Sequence, residues 1–247
     1  MMNVLLRFPI FFEHVRLFCE MCFLQGKTPN ILKITRIVPI PKVNNAKQNK
    51  EFRPVGVSPC FATILEKIYF KKLTDFVDKK GFLSKYQFGV RRGHSTEHAM
   101  ISLTDVIKKN IDKGLICVLV SLDLRNAYPS VHRELLLKKT KEDFMVSDFW
   151  LRDFFTNRKQ FVDIKGKKSE LKDMHIGVIQ GSVLGGPLFT YFINDLAKAI
   201  SVAVPQKFVD DSNMAYFDKV ENAQKLVKVI EGELVKIIEW VEKMPYH

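Results

Sequence analysis

Residues 115–131 read LICVLVSLDLRNAYPSV, an almost unbroken apolar run that meets its first charge at Asp123. Its length and β-branched content predict a central strand, buried on both faces, that ends on a carboxylate. A second apolar-to-acidic step stands at Lys207–Asn213, KFVDDSN, where Asp210 and Asp211 follow Phe208 and Val209. Asp, Ser and Asn bond to their own backbone in turns, so this stretch predicts a hairpin tip. Adjacent carboxylates also repel, and a divalent cation neutralises such a pair most usefully. If the two strands are neighbours, Asp123, Asp210 and Asp211 converge on one sheet edge. Two Mg²⁺ ions need that arrangement to promote in-line phosphoryl displacement.

Outward from these strands, helices and strands interleave without strict alternation. VLLRFPIFFEHVRLFCEMCFLQGKTP is apolar but broken by Arg7, Glu13, His14, Arg16 and Glu20. It lacks the span of about 18 uncharged residues that a membrane crossing needs, and no cleavable leader is recognisable. It predicts a core-packing helix ended by Gly26 and Pro29. Residues 31–59 predict a hairpin carrying cations at its end, with Pro39, Pro41, Pro54 and Pro59 favouring extended backbone. Phe61–Phe76 has helical spacing, and Ser95 caps a further helix ending near Gly114. Residues 133–156 read as mostly helical, FVDIKGKKSE as a hairpin, GSVLGGPLFTYFINDLAKAI as one helix, and Glu221–Val241 as an amphipathic helix. The sum is an α+β fold, a sheet of largely antiparallel strands backed by helices.

The 247 residues are 47% hydrophobic, enough for a substantial core. Lys and Arg outnumber Asp and Glu by 39 to 27, a net charge of +12 with no single block responsible. A broad positive surface suits a polyanion such as nucleic acid. The four cysteines form no disulfide framework, which points to an intracellular, reducing compartment, nuclear or cytoplasmic. Cys19 and Cys22 make one C-x-x-C inside a helical pattern, without a second pair to complete a zinc site. His94, His98 and His175 read as surface or packing residues, because two-metal chemistry asks for oxygen ligands.

From about residue 28 to 241 the chain resembles the reverse transcriptases of non-LTR retrotransposons, the jockey-like mobile elements. The motifs RIVPIPK, FRPVGVSP, QFGVRRGHST, VSLDLRNAYPSV, GVIQGSVLGGPLFTYFINDL and KFVDDSN follow one another in the family's order. The resemblance implies a right-hand polymerase with fingers mainly in 28–115 and palm mainly in 116–241. It implies RNA-directed DNA polymerase activity, transferring a nucleotide from dNTP to a DNA primer 3′-hydroxyl on an RNA template, with two Mg²⁺ ions or Mn²⁺ in their place. Asp123, Asp210 and Asp211 match the catalytic, metal-holding aspartates. Tyr128 matches the aromatic under the deoxyribose, which would clash with a 2′-hydroxyl. Arg36, Lys42 and Arg53 match cations that hold the triphosphate, which suits the charge developed in phosphoryl transfer. Gln180 and Gly181 match residues along the nucleotide and template, and Gln87, Gly89 and Arg91 match a template-contacting segment.

Three positions depart from the family pattern: Pro129 for the usual aspartate, Ile179 for the usual proline, and Val209 for the usual small residue. After Trp240 the resemblance ends before a thumb, and no endonuclease precedes it, so a truncated or decayed copy of a longer element is expected. Other readings are a nucleic-acid-binding remnant without catalysis, a palm that recruits partner chains, and an intron-encoded reverse transcriptase.

Overall fold

The computed structural model describes residues 8–124 and 126–244; Arg7, one of the charges interrupting the first apolar stretch, lies outside them. Helix α1 (Pro9–Gln25) starts on proline, whose missing amide is no loss at a first helical turn, and buries Val15, Cys19 and Cys22 on one face. The predicted hairpin follows as β1 (Ile34–Pro41) and β2 (Phe52–Val57), antiparallel with Arg36 opposite Val57 and Ile40 opposite Arg53. Helix α2 is Cys60–Lys80, and α3 is Thr96–Ile111, capped by Ser95 Oγ, which accepts from the His98 amide at 3.3 Å. Strand β3 (Ile116–Leu122), α4 (Arg133–Glu142) and α5 (Phe149–Phe155) come next. Then follow β4 (Lys159–Ile164), β5 (Lys167–Lys168), β6 (Lys172–Asp173), α6 (Gly185–Phe192) and α7 (Leu196–Ala199). Strands β7 (Val204–Phe208) and β8 (Asp211–Asp218) and helix α8 (Ala223–Glu242) complete the described chain.

The strands form two sheets, one ordered β2-β1-β4-β5 with β6 also on β4, the other β3-β8-β7. Every pairing is antiparallel except β1 with β4. That parallel pair draws residues 159–164 into the sheet of the first hairpin. Strand β3 also differs from expectation: it is an edge strand, with Leu119 45% exposed and Ser121 exposed. Ile116, Val118, Val120 and Leu122 pack with Met214 and Tyr216 against Leu226, Ile230 and Ile237 of α8. Cys117 and Leu119 on the other face made the run look continuously buried, a pattern that periodicity cannot separate from a central strand. The single helix expected over 181–200 is two, starting only at Gly185 and interrupted at Ile193–Asp195. A larger core joins α1, α2, α4, α5 and α6 around Leu65, Leu136, Phe144, Leu151, Leu188 and Phe192.

Candidate active site

Leu122 lies opposite Ser212, so Asp123 leaves β3 beside Asp211, the first residue of β8. Phe208 lies opposite Asp211, which makes Val209 and Asp210 the two central residues of the β7–β8 turn. The apolar-to-acidic steps in the two strands thus end at one edge of one sheet. Asp210 is half-buried, whereas Asp123 and Asp211 are exposed. Burial pushes the Asp210 carboxyl above its usual range, and the charges of Asp211 and Asp123 push the same way. Its own backbone bond and Arg53 pull it down. Asp210 therefore feels both other carboxylates at once, the like-charge field that a cation relieves.

Among the described residues, no three His, Cys, Asp or Glu side chains form a ready-made metal cage. The donors at this edge are carboxylate oxygens, which fit Mg²⁺ in kind, because that ion takes one or two carboxylates and completes its shell with water and substrate phosphates.

Tyr128 forms a wall beside the acidic edge. Its ring stacks on Phe189 of α6 at 5.1 Å and 18°, and burial followed by the Asp210 charge raises its hydroxyl pKa. Its carbonyl accepts from the Val178 amide at 2.9 Å, and the Gly177 amide donates to Val131 O at 2.9 Å. Residues 128–131 and 177–178 are thereby one backbone unit, and Pro129 is part of it: a Cβ on Gly177 would lie 2.7 Å from its carbonyl. Arg133 ties this unit down by donating to the carbonyls of Gly177, Phe155, Ile176 and Met174.

The Gln180–Gly181 loop extends the hairpin sheet, since the Gly56 amide on the β2 edge donates to Gln180 O at 2.7 Å. Gly181 has φ +98, and a Cβ there would stand 2.9 Å from Val55 Cγ1 and 3.0 Å from Gly56 O. Only glycine meets both demands. Behind the loop, buried Glu66 accepts from the Leu184 amide at 3.3 Å. Burial raises its pKa against the opposing pull of that amide and Arg158.

The three hairpin cations are not equivalent. Arg53 is exposed and its charge reaches Asp210. Arg36 shares its sheet face but turns to β4, 3.6 Å from Asp163, and Lys42 is exposed beyond the end of β1. Arg36 must exchange Asp163 for any triphosphate it holds.

The expected template segment is placed differently from its sequence reading. Gln87 is fully buried and Gly89 is buried, so neither side of that pair offers a surface to template. Gln87 Oε1 instead accepts from the amides of Gly89, at 2.9 Å, and Val209, at 3.0 Å. Arg91 is half-buried and its guanidinium donates to Ser84 O at 3.4 Å. Sequence reasoning missed the Gln87 contact because its partner lies 122 residues away; Gly89, two positions on, was the local signal of a close approach.

Residues 40–239 match the family model described as reverse transcriptase (RNA-dependent DNA polymerase). The chain belongs to the reverse transcriptase family. Among curated relatives, this reverse transcriptase domain is 27% identical over 224 residues to the probable RNA-directed DNA polymerase from transposon BS of Drosophila melanogaster, covering 87% of this chain and 24% of that protein. It is 28% identical over 173 residues to the RNA-directed DNA polymerase from mobile element jockey of Drosophila melanogaster, covering 69% of this chain and 19% of that one. The chain thus spans about a quarter or less of the length of these relatives. A solved telomerase from Candida albicans, in complex with a fragment of telomeric RNA, shares its fold: TM-score 0.53 and 13% identity over 86% of this chain and 41% of that one. The reverse transcriptase domain is a polymerase by family, built on a mixed α/β polymerase fold.

Proposed function

We propose that this domain is the palm and fingers of a non-LTR retrotransposon polymerase, extending a DNA primer on an RNA template. The β3-β8-β7 sheet serves as palm and the β1–β2 hairpin with β4 as fingers. The observation that carries the reading is the convergence of Asp123, Asp210 and Asp211 at one sheet end, with Asp210 raised by burial and further by the charges of the other two. Asp123 and Asp210 would hold divalent cations, with Asp211 beside them. Bound there, the ions supply activation of the primer hydroxyl and neutralisation of the leaving pyrophosphate.

The remaining chemistry belongs to side chains of the chain itself. Arg53 balances triphosphate charge from the hairpin face nearest Asp210. Tyr128, braced by Phe189, occupies the space a 2′-hydroxyl would need and so selects deoxynucleotides. Gln180 and Gly181 present a polar side chain and backbone to the nucleotide. These roles follow the family motifs, and the charge of Arg53 acting on Asp210, with that of Asp210 acting on Tyr128, supports them.

Primer extension with oligo(dT) on poly(rA), dTTP and Mg²⁺ tests the proposal. The wild-type chain is expected to add nucleotides, and Asp210→Asn to lose at least ~10²-fold in rate. Binding of the hybrid without extension, unchanged by replacing Asp123 or Asp210, would identify a nucleic-acid-binding remnant instead.

A further inference from the structure

Gln87 sits behind the β7–β8 turn, and its placement assigns it work other than touching template. The carbonyl oxygen is held between two donors, the Gly89 amide at 2.9 Å and the Val209 amide at 3.0 Å, which also fixes the orientation of the carboxamide. The backbones run together as well: Lys207 N donates to Tyr86 O at 2.8 Å and Phe88 N to Lys207 O at 2.9 Å. Gly89 closes the contact, since a Cβ there would lie 2.5 Å from the Val209 amide nitrogen and 2.6 Å from Val209 Cγ2. Residues 86–89 are therefore laid along residues 207–209 as a mould.

The mould holds an unfavourable shape. Val209 has φ +59, a region that β-branched residues rarely enter. Such a residue persists only where its surroundings over-determine it, and these sites cluster where function needs a fixed geometry. The next residue is Asp210. The Gln87 Nε2 finds no acceptor among the described residues, so this side chain brings one unpaired buried donor in order to place its oxygen.

We propose that Gln87 is a positioning residue for Asp210, clamping Val209 in its left-handed conformation so that the Asp210 carboxylate is held at the acidic edge beside Asp123 and Asp211. This inference rests on the polymerase reading. A relaxed turn moves one carboxylate relative to the primer hydroxyl and the nucleotide without removing any group that binds them. The loss therefore falls on turnover and spares substrate affinity.

Single-nucleotide incorporation kinetics and amide hydrogen exchange over residues 207–211 test it in the full chain. Gln87→Leu is expected to lower kcat by ~10–100-fold, the scale of a misplaced reacting group, with KM for dTTP within about twofold. The Val209 amide should exchange about tenfold faster. Glycine adopts positive φ without strain, so adding Val209→Gly to Gln87→Leu should recover about half or more of the lost log rate. Gly89→Ala, which presses on the same turn from its other side, should reproduce the kcat loss even if Gln87→Leu folds poorly. A rise in KM at constant kcat would return Gln87 to a substrate-contacting role and overturn the proposal, as would an unchanged Val209 exchange rate. If the wild-type chain adds no nucleotide, the polymerase reading fails separately, while exchange at Val209 still decides whether the clamp exists.

Discussion

Asp210 shows the conflict between stability and chemistry at a single residue. Its carboxyl is raised by burial and by two neighbouring carboxylates, so the native chain holds that proton more tightly than the unfolded chain does. Ionising it as pH rises from the ordinary carboxylate value through the raised one therefore costs native stability. Asp210→Asn removes the charge and keeps the shape. In the absence of divalent cations this variant should melt about 1–3 °C above wild type at pH 7. The advantage should fade as the pH falls below ~4, where both forms are neutral. Thermal denaturation at pH 7 and pH 3.5 checks both limbs, and equal midpoints at pH 7 would show that the carboxylates do not feel one another. The aspartates were legible in the sequence because each marks an abrupt end to an apolar run. Gln87 was not: a buried polar side chain looks like any surface glutamine until its distant partner is known.

Among the elements, the break between α6 and α7 is held by two buried lysines, Lys139 from α4 and Lys207 from β7. The Lys207 Nζ donates to Ile193 O at 3.3 Å and Asn194 O at 3.5 Å, while Lys139 Nζ reaches Phe192 O at 2.8 Å and Asp195 at 2.7 Å. Cations at the carbonyl end of a helix are favourable, and here they accompany the break between α6 and α7. Asp195 pairs with Lys139 and acts on Lys207 by charge alone, and burial pushes Lys207 down to about 8, with Asp195 opposing and Lys139 adding. Above that pH the native lysine is neutral while the unfolded one stays charged to about 10.4, so stability attributable to Lys207 rises with pH across that window. Measured against Lys207→Met, wild type should gain about 5 °C in Tm between pH 8 and 10. A difference that stays flat would mean Lys207 keeps its ordinary affinity for the proton. Helical periodicity located α2, α3 and α8, because each buries one stripe. The α6–α7 break escaped it, because Ile193, Asn194 and Asp195 fit a helical pattern and the two lysine side chains come from elsewhere in the chain. Strand β3 was found but misplaced as central, since one apolar face and a few apolar residues on the other cannot report how many neighbours a strand has.

At the scale of the molecule, the net charge of +12 acquires a direction from the sheet register. Residues two apart along a strand, and residues paired across strands, share a face. The pairings therefore put Arg36, Arg53 and Lys168 on one face of the β2-β1-β4-β5 sheet. Arg53 on that face is within electrostatic reach of Asp210, which sets the cationic face near the acidic edge. A backbone phosphate path across this face and an acidic end for cations is the division of charge that the proposed polymerase requires. If the face binds the hybrid, affinity is set by counterion release, and it should fall ~10³-fold or more between 50 and 200 mM salt for six or more phosphate contacts. Arg36→Ala with Lys168→Ala should weaken binding to all hybrid sequences about equally and make the log–log salt slope shallower by about two. Asp210→Asn should leave that slope as it is, because it alters the cation end and no phosphate contact. Fluorescence anisotropy with an RNA–DNA hybrid at several salt concentrations separates the cases. A slope indifferent to the double substitution would move the nucleic-acid path off this face, and with it the assignment of the β1–β2 hairpin as the fingers.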